Sequence, residues 1–320
     1  RCRTTRLLQG RRLSLRLTYN IVYIRGNVPY IPIFTSLNPQ QLFRCIYDII
    51  PLLTDVHFKM SSFQFGSSEA AKRSGSDAAK MKHHIADLKY TTDSFAYLLR
   101  PRAAGLTSSS ALNSPLINRG YFARVSCIDI LLSRFVAMRA SSSTVNVVEM
   151  GAGFSTLYLR AVSGETSPPL PSHSGLKFYE VDFEDVLNSK KSALCTPLLS
   201  SSLPPLPNFH AADLSAPNFS SSFKQEIDSS APTLFIFEAV LMYMDRTSSD
   251  NLLSDIASSF PDATVVIYDP ILQKTRFGTT MCENLRRSGV EVSGMLSLRT
   301  LEDQLGRLKS VGFSASHGLS

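Results

Sequence analysis

Residues 145–161 read VNVVEMGAGFSTLYLRA, and this stretch limits the fold more than any other. Branched apolar residues Val145, Val147 and Val148 lead through Glu149 and Met150 into Gly151-Ala152-Gly153, after which apolar residues recur at helical spacing. The pattern predicts a strand, a tight glycine turn and a helix. Such a turn lets backbone approach a ligand closely and aims helix amides at it, so it predicts a nucleotide-type cofactor site.

Charge narrows the partners. The net charge of +7 sits in residues 1–60, where nine Lys/Arg face only Asp48 and Asp55. Residues 61–320 carry 24 cations and 24 anions, so the body has no basic bias and nucleic acid is not an expected partner. Five cysteines stand singly with no CxxC pair, which fits a reducing cytoplasm and predicts no metal site. The longest apolar run, Ile21 to Phe34, is broken by Arg25, Gly26, Asn27 and two prolines, short of the roughly 18–20 residues that cross a bilayer. No membrane association is expected. Residues 1–20 are Arg-rich and acid-free, as in a transit peptide, but lack an amphipathic period. Residues 1–60 are read as a poorly structured extension or an artefact of the gene model.

Ser, Gly and Pro clusters at 61–77, 101–115, 163–175 and 198–207 predict loops. Between them lie five predicted strands: Asn146 to Met150, Lys177 to Val181, Phe209 to Ala212, Leu234 to Phe237 and Thr264 to Tyr268. Helical patterns cover Asp87 to Leu99, Gly120 to Ala140, Ser155 to Val162, Phe183 to Ser189, Ser248 to Ser259, Gly278 to Gly289 and Thr300 to Val311. Alternation of this kind predicts a mostly parallel sheet with helices on both faces, binding its ligand beyond the carboxyl ends of the strands. Three of the first four strands end in a carboxylate: Asp182, Asp213 and Glu238. Each acid alone is explained by a solvated strand end or a helix cap. Together, at one sheet edge, they mark a site. A dinucleotide turn wants a third glycine where Thr156 stands, so the motif favours S-adenosylmethionine over a nicotinamide or flavin dinucleotide.

Five ordered segments carry a closer likeness: INRGYFARV at 117–125, VVEMGAGFSTLYLR at 147–160, FYEVDF at 178–183, LFIFEAVLMYM at 234–244 and RFGTTMCENLRRSG at 276–289. Across residues 80–316 the chain resembles the leucine carboxyl methyltransferase family. The closer branch methylates the C-terminal leucine of the protein phosphatase 2A catalytic subunit. The resemblance implies a Rossmann-like, seven-stranded methyltransferase fold over residues 80–320, beside a basic, poorly ordered extension at 1–79.

It also implies site residues. Arg124 would pair with the carboxylate of the cofactor's methionine moiety, assisted by Lys82. Gly151 and Gly153 would allow the close backbone approach, Asp182 would hold the ribose, and Asp213 with Leu214 the adenine edge. Glu238 would face the methionine end, and Tyr243 and Arg276 the substrate side. The acceptor carboxylate, with an unperturbed pKa near roughly 3.5, is already ionised, so no general base is expected and none of the six histidines is given a catalytic role.

Two departures accompany the likeness. Ser155 stands where the family usually has aspartate. The family also continues past the position of Ser320 into a last strand, so the sheet is expected to lack its C-terminal strand, and residues 1–60 are not expected to replace it. The alternatives are carboxyl methylation in tRNA modification and an inactive, truncated remnant. A monomer is the default.

Overall fold

The computed structural model describes residues 19–25, 67–99, 115–195, 203–271, 276–287, 292–298 and 300–319. Its strands are β1 (Tyr19–Arg25), β2 (Val145–Met150), β3 (Leu176–Asp182), β4 (Asn208–Ala211), β5 (Thr233–Glu238), β6 (Ala263–Pro270) and β7 (Ala315–Leu319). Its helices are α1 (Ser67–Asp87), α2 (Ala96–Leu99), α3 (Pro115–Met138), α4 (Leu157–Val162), α5 (Glu184–Leu194), α6 (Phe219–Phe223), α7 (Arg246–Ser259), α8 (Arg276–Arg287), α9 (Ser293–Ser297) and α10 (Leu301–Ser310), with a single 3-10 turn at Leu241–Tyr243.

All five strands expected from the sequence form, as β2 to β6, and pair in parallel. Among the described residues one seven-stranded sheet runs in the order β4-β3-β2-β5-β6-β1-β7. The strand order reverses at β2, so the crevice beyond the carboxyl ends of β2 and β5 is the place for a ligand. Period-two alternation sorts the two faces. Val148, Met150, Phe235, Phe237, Val265 and Ile267 pack with residues of α6, α7 and α10. Val145, Val147, Leu234, Ile236 and Val266 pack with Ile128, Leu132 and Phe135 of α3. Both faces are covered, so the central strands are mostly apolar and β6 is buried at all eight positions.

Three expectations are corrected. First, the N-terminal segment does enter the sheet. β1 pairs antiparallel with β6 from Tyr19↔Pro270 to Arg25↔Thr264, and on its other side with β7 from Ile21↔Leu319 to Arg25↔Ala315. Ile21, Val22, Tyr23 and Ile24 are consecutive residues of high strand propensity, and antiparallel pairing satisfies the backbone edge that β6 would otherwise leave open. Second, part of the predicted loop at 61–77 is helical. Ala70, Ala71, Ala78 and Ala79 favour helix strongly enough to carry Ser74 and Gly75 inside α1, so a domain boundary at residue 79 falls within a helix. Third, the helix expected over Asp87 to Leu99 is divided. Lys89 takes a left-handed conformation (φ 64°), and the Tyr90 N–H reaches the Ile85 carbonyl at 2.9 Å, a Schellman-type stop. Asp93 then accepts from the Phe95 N–H at 3.0 Å and opens α2.

The predicted loop at 163–175 is irregular as expected. Those at 101–114 and 198–202, and residues 1–18, lie outside the described residues. No described helix is long and apolar enough to cross a membrane.

Candidate functional site

The glycine turn forms as the sequence predicts. Gly151 and Gly153 have φ of 64° and 51°, left-handed values that side chains resist. A Cβ on Gly151 would lie 2.8 Å from Val240 Cγ2, whereas one on Gly153 would meet only the Gly75 Cα at 3.8 Å. Gly151→Ala is therefore expected to destabilise the fold more than Gly153→Ala. On the order of 2 kcal/mol is expected for the first and about 1 kcal/mol for the second, read by denaturant titration. Equal effects would contradict the close packing of Val240.

Asp182 holds the turn from the neighbouring strand. Its Oδ2 accepts from the Gly153 N–H at 2.6 Å and its Oδ1 from the Phe183 N–H at 2.7 Å. Burial raises its pKa, and these two bonds oppose the rise. Ser155 Oγ accepts from the Leu157 N–H at 3.2 Å, just ahead of α4, whose N-cap is Thr156. Asp213 is exposed and accepts from the Ser215 N–H at 2.8 Å, while the Leu214 side chain is buried in the core beside it.

The strongest charge cluster lies at the end of β5. The alternation that puts Leu234 and Ile236 on the α3 face puts Glu238 there too, where α3 presents Arg124. Arg124 Nε donates to Glu238 Oε1, and Arg124 Nη2 donates to the Glu238 carbonyl at 3.2 Å. From the opposite side α1 brings Lys82 Nζ to the same Oε1 at 2.7 Å. Burial alone would push the Glu238 pKa up. The Lys82 and Arg124 charges outweigh it and hold it down at about 2. Burial likewise opposes the Arg124 charge, yet Glu238 keeps its pKa above the ordinary value. Two cations share one carboxylate, so the cluster carries a surplus positive charge beside the glycine turn.

The α1 helix closes over this edge. Gly75 lies against Gly153, Lys72 Nζ reaches Asp185 Oδ2 at 2.8 Å, and Ser74 hydrogen-bonds Tyr243. Of the sequence-predicted residues, the structure brings together Lys82, Arg124, Gly151, Gly153, Asp182, Glu238 and Tyr243. Arg276 begins α8, and its side chain lies outside the described residues.

Sequence reasoning missed a second layer. Glu149 and Glu180 are register partners on β2 and β3, both buried, and Lys190 Nζ of α5 meets Glu180 Oε2 at 2.5 Å. Burial first, and then the Glu180 charge, pushes Glu149 up to about 7. Asp269, also buried and next to last in β6, is pushed up to about 7 by burial. The strand-end rule would have found Asp269 had it been carried on to the fifth predicted strand.

Comparison with known proteins adds the lineage. The family profile described as "Leucine carboxyl methyltransferase" matches residues 77–257, more than half of the chain. The chain belongs to the leucine carboxyl methyltransferase family. Leucine carboxyl methyltransferase 1 of Yarrowia lipolytica is 29% identical over 218 residues, covering 62% of this chain and 64% of that one. Leucine carboxyl methyltransferase 1 of Caenorhabditis elegans is 28% identical over 265 residues, 76% of each chain. The human tRNA wybutosine-synthesizing protein 4 is 28% identical over 268 residues, 77% of this chain but only 37% of that protein. Membership agrees with the resemblance carried by the five segments and with the Rossmann-like sheet. The family's matched region includes Lys82, Arg124, the glycine turn, Asp182, Asp213, Leu214 and Glu238.

Proposed function

We propose that this chain binds S-adenosylmethionine and methylates the C-terminal leucine carboxylate of the protein phosphatase 2A catalytic subunit. The convergence of Lys82 and Arg124 on Glu238, beside the Gly151–Gly153 turn, carries the cofactor half of this reading. The cofactor is a zwitterion with a sulfonium charge. Its carboxylate fits the surplus positive charge of the Lys82–Arg124 pair, and its ammonium fits the Glu238 carboxylate, ionised at neutral pH. Asp182 would meet the ribose hydroxyls with lone pairs not used by Gly153 and Phe183, and Asp213 and Leu214 would border the adenine.

The bound cofactor supplies an activated methyl group. The chain's own work is then alignment and exclusion of water. Arg124 and Lys82 fix the methionine end, the glycine turn fixes the middle, and α1 covers the site with Gly75 against Gly153. The acceptor carboxylate needs no base, so in-line approach and desolvation supply the acceleration. Tyr243 and Arg276 border the acceptor side in this reading.

The name of the leucine carboxyl methyltransferase relatives favours a terminal leucine over a tRNA base, as does the balance of 24 cations and 24 anions in residues 61–320. The wybutosine-synthesizing relative keeps carboxyl methylation of tRNA as the second reading. Labelled methyl transfer is expected to phosphatase catalytic subunit carrying its terminal leucine and to be absent when that leucine is removed. Equal labelling of the two, or labelling of tRNA alone, would overturn the proposal.

A further inference from the structure

The turn after β5 takes an unfavourable conformation beside a buried carboxyl group that the proposed reaction does not use. Ala239 sits at φ 58°, a value that an alanine resists, and donates its N–H to the Tyr268 carbonyl at 2.8 Å. Val240 then packs over Gly151, and Tyr243 ends the turn with a hydrogen bond to Ser74 of α1. On one side α9 presses on the turn so closely that a Cβ on Gly294 would stand 2.1 Å from the Leu241 carbonyl oxygen. Next to Tyr268 in β6 lies Asp269, 4% exposed, and the pairing of Tyr268 with Glu238 sets its carboxyl group facing the backbone N–H groups of Val240 and Met242.

Stability does not account for an acid at that place. Asp269 Oδ1 has no hydrogen-bond partner, and a buried carboxylate with an unpaired oxygen weakens a fold. The carboxylate instead stands between β6 and two amides, Val240 and Met242, of the turn that begins at Glu238 and ends at Tyr243.

We propose that Asp269 is a positioning residue, holding the Ala239–Tyr243 turn so that Glu238 and Tyr243 stand correctly for the cofactor's methionine end. This rests on the cofactor reading given above. The groups facing Asp269 are Arg307 from α10, Arg124 from α3 and Tyr243 from the turn itself. Burial raises its pKa to about 7, with Arg307, Arg124 and the two amides opposing the rise. The ionised carboxylate is the stronger acceptor, so the hold on the turn is firm above that pH and slackens below it. Fold stability moves the other way. A folded pKa above the unfolded value makes the ionised form the costly one, and that cost fades as pH falls through about 7 toward the ordinary aspartate range.

Calorimetry of S-adenosylmethionine binding to the full chain and to Asp269→Asn tests this. At about pH 8.5 the variant is expected to bind roughly tenfold more weakly, because the amide accepts less strongly than a carboxylate. At about pH 5.5 the unsubstituted chain is itself protonated at Asp269, so the ratio is expected to approach one. A ratio constant across this range, whether near one or near ten, would overturn the inference. No binding by the unsubstituted chain at any pH would instead sink the cofactor reading. If the variant does not fold, hydrogen exchange in the unsubstituted chain decides. Protection of the Val240 and Met242 amides, relative to those of β5, is expected to fall between about pH 8.5 and 5.5, and unchanged protection would overturn the inference.

Discussion

A chain lacking residues 1–25 should lose cooperative folding. The strand removed is internal to the sheet, with seven residue pairs to β6 and five to β7. At about 0.5–1.5 kcal/mol for each backbone bond, roughly ten such bonds are worth as much as the 5–15 kcal/mol that keeps a domain folded. β6 would be left with an unpaired edge along its length, a row of open backbone groups on a strand otherwise packed in the core. β7 would be detached as well, since its pairing in the sheet runs through β1. Circular dichroism during urea titration should show a broad, non-cooperative change, and the truncated chain should bind the apolar dye ANS. A sharp transition at the midpoint of the full chain would show that β1 is dispensable.

Arg124→Ala should have the largest effect on the site itself. The guanidinium contributes two contacts to Glu238, through its side chain and its carbonyl, and it rests 5.5 Å from the centre of the Tyr121 ring. Its loss removes the fork that would bind the cofactor's carboxylate and leaves Lys82 as the cation nearest Glu238. A charge-assisted pair contributes about 1.5–3 kcal/mol, so affinity for S-adenosylmethionine should fall by one to two orders of magnitude. Stability should fall too, on the order of 3 kcal/mol, because a buried carboxylate loses half of its compensation. The pH dependence follows from Glu238. Its folded pKa of about 2 lies below its ordinary value, so its stabilisation is complete above about pH 4.5 and is lost as pH falls toward 2. Without Arg124 that loss should begin at a higher pH. Unchanged affinity by calorimetry would remove Arg124 from the site, and an unchanged acid limb would remove it from Glu238.

What the sequence made legible was what local chemistry encodes. Runs such as Val145-Asn-Val-Val and Thr264-Val-Val-Ile have one plausible conformation, and β2 to β6 formed within a residue or two of expectation. The turn at Gly151–Gly153 and the acids at strand ends follow from the same rule, which is why Asp182 and Glu238 stand where they were expected. Lys82 and Arg124 were reached only through family likeness, because nothing local tells a helix arginine that faces a carboxylate from one that faces water. β1 was hidden for a different reason. Ile21 to Ile24 read as a strand only once the partner that needs covering is known, and that partner lies at the far end of the chain. Glu149 and Glu180 were hidden in apolar strands, where their burial depends on Lys190 arriving from α5. Ser74 and Gly75 were read as loop formers, yet the alanines around them and the pairing of Gly75 with Gly153 hold them in a helix.

The place of β1 also bears on the order of assembly. Ile21 pairs with Tyr268, 247 positions later (268 − 21), and with Leu319, 298 positions later (319 − 21). A ribosome thus releases β1 long before either of its two neighbours. Until residues 263–270 have been made β1 has neither of its partners, and it waits with both edges bare. Contacts of such length form slowly, and unpaired strands are the segments that chaperones and foreign edges capture. The antiparallel insertion of β1 therefore makes nascent chains of this protein vulnerable until β6 and β7 have been made, whatever the stability of the finished fold.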